Sequence, residues 1–329
     1  MKKIALVTGG AGFIGSHMVD LLLKKNFRVR VIDDFSAGSL ENLSKHKMNI
    51  NLKVEKADIR NINQNNSIFK NINYVFHFAG NVDIVPSIEK PKQYMSANVM
   101  GTVNILESIR KRKITKFIYA ASSSCYGIAK TPTKENAPID TRYPYALSKY
   151  LGEKISFHWA SVYKIPIISL RIFNAYGTRS KTSGTYGAAF GVFLKQKLEK
   201  KPFTIVGNGK QKRDFVHVTD VANAFLCAAQ SGKKNKIYNL GTGKPNSVNY
   251  LVSLLGKNKI VYLPRRIGEP YCTCASTQLI RKELKWRPNV KFKDGVMEML
   301  KNINYWKSAP LWNKKKISIA TKNWFKYIN

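Results

Sequence analysis

Short apolar runs, many of them β-branched, recur along the first half of the chain at residues 4–7, 28–32, 52–54, 74–78, 117–121 and 167–172. Their length and composition predict strands. Between them, residues 15–25, 94–111 and 145–162 carry helical patterns, and the alternation of strands and helices over the first half predicts an α/β fold with a parallel, doubly wound sheet of the Rossmann type. Past Arg171 the order loosens. A Gly-, Thr- and Ser-rich segment at 176–187 leads into an apolar-periodic helix at 189–199, where a smaller C-terminal substrate-binding lobe is expected to begin. The expected division is 1–173 with 214–242 for the Rossmann domain, 174–213 with 243–305 for the lobe, and 306–329 for a basic tail. That tail carries Trp312, Trp324 and Phe325, which leaves three outcomes open: docking on the body, binding a partner, or mobility. There is no internal repeat and no low-complexity tract.

Composition narrows the class. With 329 residues, 44% hydrophobic and 23% charged, the chain can bury one large core or two smaller ones. The opening MKKIALV has the basic-then-apolar look of a leader, but Gly9 and Gly10 cut the run short. No apolar stretch approaches the roughly twenty residues that span a bilayer, so a cytoplasmic protein is expected. Of the four cysteines only Cys272 and Cys274 are close, and Cys-x-Cys fits neither the common zinc spacings nor a redox pair. Reduced thiols and no metal are expected. The formal charge of +37 attracts anions through its summed field, whether nucleotides, nucleic acid or acidic lipid. Because Lys, Asn and Ile are abundant throughout, compositional drift plus an anionic small-molecule substrate is the favoured account, and nucleic acid is disfavoured.

Candidate chemistry begins at Thr8-Gly9-Gly10-Ala11-Gly12-Phe13-Ile14-Gly15, which follows the first predicted strand and opens the first predicted helix. Gly10, Gly12 and Gly15 fit G-x-G-x-x-G, where glycines allow backbone to approach a pyrophosphate and the helix N-terminus offers free N–H groups. Glycine clusters also make ordinary turns, but Asp33 and Asp34 end the second strand about 20 residues on, where a carboxylate accepts from the adenosine ribose and repels a 2′-phosphate. NAD is the predicted cofactor form. Further along, Pro144 starts a helix in which Tyr145 and Lys149 lie at i and i+4, on one face. A free phenol has a pKa of about 10, too high for a base at neutral pH, and a neighbouring ammonium would favour the phenolate. The strand at 117–121 runs into Ser122-Ser123-Ser124-Cys125-Tyr126-Gly127, placing hydroxyls at a strand's C-terminal end, where open α/β sheets bind ligands.

Together these residues resemble the extended short-chain dehydrogenase/reductase family, and within it the nucleotide-sugar 4-epimerases of the UDP-glucose and UDP-N-acetylglucosamine type. The likeness covers about residues 1 to 300 and rests on motifs in order: TGGAGFIG, DDFSAG, DIR at Asp58, HFAG at His77, the Asn98 region, SSSCYG, YALSK, RIFNAYG at Arg171 and RDFVHVTDVA at Arg213. The resemblance implies an NAD pocket drawn from Gly9, Gly12, Phe13, Ile14, Gly15, Asp33, Asp34, Phe35, Ser36, Gly38, Asp58, Ile59, Phe78, Ala79, Gly80, Val82, Asn98 and Phe173, with Tyr145 and Lys149 beside them. Tyr145 would be the base, Lys149 its partner and Ser122 the catalytic hydroxyl, with Ser123 a close second. Asn174, Arg213, Arg266 and Glu269 match contacts to the nucleotide, Ser122 and Tyr145 would also touch the sugar, and Thr273 falls at a sugar-gating position. Arg213 has the plainer alternative of a salt bridge to Asp214.

Departures are informative as well. Ser123 and Ser124 stand where related 4,6-dehydratases carry an acidic pair and sugar-acid decarboxylases a glutamate, and Ser124 stands where C3/C5 epimerising relatives place a cysteine. The implied activity is 4-epimerisation of a nucleotide-diphosphate sugar, a UDP-sugar first, by a homodimer. A dehydrogenase or 4-keto reductase, a 4,6-dehydratase, and a non-enzymatic RNA-binding or regulatory relative are the alternatives.

Overall fold

The computed structural model describes residues 2–180 and 189–328, so residues 181–187 of the Gly-rich segment lie outside the described residues. The chain runs β1 (Ile4–Thr8), α1 (Phe13–Lys24), β2 (Arg28–Asp33), β3 (Leu52–Lys56), β4 (Tyr74–His77), α2 (Pro86–Glu89) and α3 (Pro91–Met95). A π-turn at Ser96–Met100 then joins α3 to α4 (Gly101–Ile109), followed by β5 (Lys116–Ser122), α5 (Pro144–Tyr163) and β6 (Ile167–Ile172). Next come β7 (Asn174–Tyr176), α6 (Ala189–Leu198), β8 (Phe203–Val206), β9 (Lys212–Arg213), β10 (Phe215–His217), α7 (Val218–Gln230) and β11 (Lys236–Leu240). The remainder is β12 (Asn246–Ser247), α8 (Val248–Leu255), β13 (Ile260–Leu263), α9 (Gln278–Leu284), α10 (Phe292–Lys301), α11 (Lys314–Ala320) and α12 (Lys322–Tyr327).

Seven strands form one parallel sheet in the order β11-β6-β5-β4-β1-β2-β3. The order reverses between β1 and β4, which opens a crevice at the strands' C-terminal ends. All six predicted strands are present, and the fold class expected from the alternation is the one observed. Period-two side-chain direction builds a core on each face. Ala5, Val7 and Phe76 pack with Met18, Leu22, Val221 and Phe225 of α1 and α7, while Leu6 and Val75 pack with Ile105, Leu106 and Ile109 of α4 and Ala160 of α5. The helix expected at 94–111 differs in detail. It starts three residues earlier, at Pro91, whose fixed φ suits a first turn, and it is interrupted by the π-turn, inside which Asn98 is buried.

A separate core gathers Tyr176, Phe190, Phe193, Phe203, Phe215 and Leu251 with Val296, Met299 and Trp306. The last segment docks on the body, which resolves the three outcomes that its sequence left open: Trp312, Ile317 and Trp324 are buried against Val85, Val192 and Leu263. Among the described residues no helix is long and apolar enough to cross a membrane, and no group of three or more His, Cys, Asp or Glu could hold a metal ion. Cys125 and Cys274 are buried, and all four thiols are free.

One buried ion pair sets the register of α5 on the sheet. Glu153, 1% exposed, lies 2.6 Å from Arg171, 4% exposed, and also accepts from Ser169 Oγ at 2.7 Å. Arg171 in turn donates to the Tyr126 hydroxyl at 2.8 Å and to Glu135 O at 3.1 Å. Breaking such a pair strands the remaining charge, so Glu153→Ala should lower unfolding free energy by about 3–5 kcal/mol, measured by urea denaturation.

Candidate functional site

Three strand ends meet at the crevice. Between β1 and α1 the chain turns so tightly that a Cβ on Gly9, at φ +68°, would lie 2.8 Å from Ala79 N, and one on Gly15 would lie 2.0 Å from Gly9 O. A Cβ on Gly12 would meet only Gly9 O, at 3.2 Å, so the side above Gly12 is open. Gly12 caps α1 in extended conformation with no side-chain bond, and no acidic residue sits in the first turn. The helix therefore begins with unclaimed N–H groups, the arrangement that receives phosphate oxygens. Asp33, 6% exposed at the end of β2, accepts from Ala11 N at 2.8 Å and Phe35 N at 2.9 Å. Burial raises its pKa against those bonds. The turn at residues 35–38 folds over the glycine loop, with Gly38 packed on the Ala11 carbonyl.

The π-turn supplies the crevice's other wall. Asn98 exchanges hydrogen bonds with Asn81, donating to its carbonyl at 2.9 Å and accepting from its N–H at 2.7 Å, and donates to Ser148 Oγ at 2.9 Å. A Cβ on Gly80 would sit 2.5 Å from Asn98 Oδ1. Ile59 is buried beneath Gly101. Of the other expected pocket residues, Phe78 is partly buried with its ring tilted against Phe225 at 4.5 Å, Val82 is exposed, Asp34 accepts from Ser36 N at 2.9 Å, and Asp58 is paired with Arg60.

At the end of β5, Ser122 shares a hydrogen bond with the buried Tyr145 phenol and accepts from Ser124 N at 3.2 Å. One turn along α5, Lys149 Nζ lies 4.5 Å from the centre of the Tyr119 ring. Its charge reaches His77, whose Nδ1 is 2.7 Å from Thr8 Oγ1 beside the glycine loop. Burial pulls the Lys149 ammonium down to about 8, with Glu153 one further turn along opposing the fall. Burial also pushes the Tyr145 phenol up, against the Ser122 bond. The phenolate expected from the sequence is therefore not the form that the protein alone favours. Among the serines the geometry separates roles: Ser122 meets the phenol, whereas Ser123 lines a small cavity with Phe173 and Thr273. Burial pushes Cys125 up to about 12, which makes it a poor nucleophile.

Beyond the serines, Arg213 and Arg266 flank Glu269 at 3.4 Å and 3.1 Å in a cleft of about 240 Å³ also lined by Gln211, Arg265 and Tyr271. Three guanidiniums against one carboxylate suit a doubly anionic ligand. The plainer alternative for Arg213 does not hold, because fully buried Asp214 accepts from Thr242 N at 2.7 Å and from Gly243 N and Ala275 N at 2.9 Å instead. Thr273 donates to Asn174 Oδ1 at 2.9 Å. The sequence reading missed Tyr143, whose hydroxyl bonds Ser124 and whose surroundings include Glu269 and Arg213. Its signal was an aromatic ring two residues before Tyr145, at the helix N-cap.

The profile of the NAD dependent epimerase/dehydratase family matches residues 5–241. A candidate UDP-glucose 4-epimerase of Methanocaldococcus jannaschii is 38% identical over 91% of this chain and 99% of that protein. The crystal structure of UDP-glucuronic acid 4-epimerase from Bacillus cereus, in complex with UDP-glucuronic acid and NAD, superposes with a TM-score of 0.86 at 29% identity, covering 93% of this chain and 99% of that one. UDP-N-acetylglucosamine 4-epimerase from Methanobrevibacter ruminantium M1, in complex with UDP-N-acetylmuramic acid, gives 0.86 at 29% identity, with 94% and 99% covered.

The lowered pKa of Lys149 has a stability consequence with a definite sign. A folded value of about 8, below the ordinary lysine value of 10.5, means that folding disfavours the protonated amine. The penalty is complete below about pH 8 and vanishes above the unfolded value. Lys149→Met should therefore stabilise the chain at pH 7, by on the order of 1–3 kcal/mol, and the gain should shrink toward pH 10, measured as urea midpoints at both pH values.

Proposed function

The chain belongs to the NAD dependent epimerase/dehydratase family, and from that premise we propose that it interconverts UDP-sugars epimeric at C4, with NAD held in the glycine crevice. The observation that carries this reading is the hydrogen-bonded Ser122–Tyr145 pair, with Lys149 one turn along the same helix face over the Tyr119 ring. The cradle fits NAD by its own features: an open approach above Gly12, an uncapped helix N-terminus and a carboxylate at the end of β2. Asp33 takes the adenosine ribose and disfavours a 2′-phosphate. NAD, when bound, supplies a hydride acceptor that returns the hydride to the sugar's other face, so no net redox follows.

Tyr145 takes the proton from O4 and gives it back. Ser122 donates to the same oxygen, and the protonated Lys149 lowers the cost of the phenolate through its positive charge. Arg213 and Arg266 anchor the diphosphate while the sugar turns. Asn174 and Glu269 hold the nucleoside end, and Ser123 and Thr273 bound the sugar. In this reading residues 1–173 with 214–242 form the NAD-binding domain and 174–213 with 243–305 the nucleotide-sugar lobe, with 306–329 following them. The chain works in the cytoplasm as a homodimer joined through the π-turn with α4 and through α5, where Met100 of the π-turn and Leu147 and Val162 of α5 are exposed. Its products serve polysaccharide assembly.

Incubation with UDP-glucose or its N-acetylated and uronic acid counterparts should yield the 4-epimer without accumulating NADH. Stoichiometric NADH would identify a dehydrogenase instead. Tyr145→Phe should lower kcat by about 10²–10⁴-fold while UDP still binds, and an unimpaired variant would reject the role given to Tyr145. Thr273→Tyr, which fills the cavity beside Ser123, should cut kcat/KM for the N-acetylated sugar at least about tenfold more than for UDP-glucose, read from initial rates on both substrates.

A further inference from the structure

The docked C-terminal segment does more than cover an apolar face. Trp324 is fully buried, and its ring lies 5.5 Å from that of Tyr143, the residue whose hydroxyl bonds Ser124. Its Nε1 donates at 2.9 Å to Ile267 O, in the turn between Arg266 and Glu269. Four residues on, Ile328 seals that turn from outside: Gly268 is buried at φ +83°, and a Cβ there would come within 2.5 Å of Ile328 Cγ2. A third tether joins Asn323 Nδ2 to Glu89 Oε1 at 3.2 Å. Glu89 ends α2, in the segment whose Asp83 carbonyl accepts from Tyr94, a ring set edge-on to Tyr145 at 6.4 Å.

We infer that residues 312–328 are a strap that sets the width of the nucleotide-sugar cleft, and that Trp324 is its positioning residue. The inference rests on the cleft assignment made above. A single indole spans two walls that belong to distant parts of the sequence, the residue before α5 and the turn bearing Arg266 and Glu269. The charges of Glu269 and Arg213 are felt at Tyr143. The Trp324 and Ile328 contacts fall on Tyr143 and on the turn of Arg266 and Glu269, and none touches the glycine loop, so those two side chains act on the binding of the nucleotide-sugar and leave cofactor retention alone. It touches no reacting atom; its effect is on where the diphosphate anchors stand, and small displacements of such anchors carry large penalties.

The test compares wild type, Trp324→Ala, Trp324→Phe and Ile328→Ala for epimerisation kinetics, for UDP affinity by calorimetry and for bound NAD after purification. Trp324→Ala should raise both the KM for the nucleotide-sugar and the UDP Kd about tenfold, with kcat at saturation and NAD content close to wild type. Trp324→Phe, which keeps a ring against Tyr143 but loses the bond to Ile267, should recover part of the affinity. Ile328→Ala leaves Trp324 in its core and should move KM in the same direction by a smaller factor, which keeps the test valid if Trp324→Ala does not fold. KM and UDP Kd within twofold of wild type in the folded variants, or an equal loss of NAD, would overturn the strap and leave a purely structural tail. A wild type that binds UDP but epimerises no sugar counts against the proposed reaction, and the strap is then judged on UDP affinity alone. A wild type that binds no UDP overturns both.

Discussion

The contact between α5 and β6 is the constraint on which the rest of the site depends. Glu153 is tied to Ser169 and Arg171, two residues that share one face of β6. Burying this pair is costly, and its retention midway along the helix is better understood as a register device than as a source of stability. With Glu153 fixed, helical geometry dictates the next two turns: Lys149 is carried over the Tyr119 ring and Tyr145 to the Ser122 hydroxyl at the end of β5. Packing agrees, since Gly152 is the residue at which a Cβ would strike the Tyr119 hydroxyl at 2.2 Å and Asn98 O at 2.8 Å. A larger side chain there would push α5 off both the sheet and the π-turn.

Burial then decides the protonation states. The same enclosure that pushes the Tyr145 phenol up draws the Lys149 ammonium down to about 8 and His77 to about 3. His77 is thus a neutral connector between Thr8 and Thr102, tying the glycine turn to the helix beyond the π-turn. The protein alone therefore does not ionise the Tyr145 phenol, and in the proposed reading charge brought by ligands completes the pair with Lys149. Arginine placement in the cleft follows a related logic. Arg213 is half-buried and held partly by Glu269, and in the proposed reading a bound diphosphate replaces that imperfect partner with a better one. Against that local arrangement, the overall charge of +37 is a diffuse attraction for anions.

Local chain rules made much of this legible. Strand and helix order, the glycine turn with Asp33 beyond it, and the common face of Tyr145 and Lys149 all follow from steric and periodic effects that act within one or two turns of backbone. That is why they could be read from Gly12, Pro144 and the apolar runs without a partner in view. What only the tertiary structure decided depends on segments far apart in sequence. It selected Ser122 over Ser123 for the phenol, set the Phe78 ring against Phe225 and inserted a π-turn at Asn98. It gave Arg213 to Glu269 rather than to the adjacent Asp214, placed Tyr143 against Trp324, and docked a tail whose tryptophans alone did not reveal where they would go. Desolvation and packing are properties of the neighbours a residue acquires on folding, and no local pattern of residues contains them.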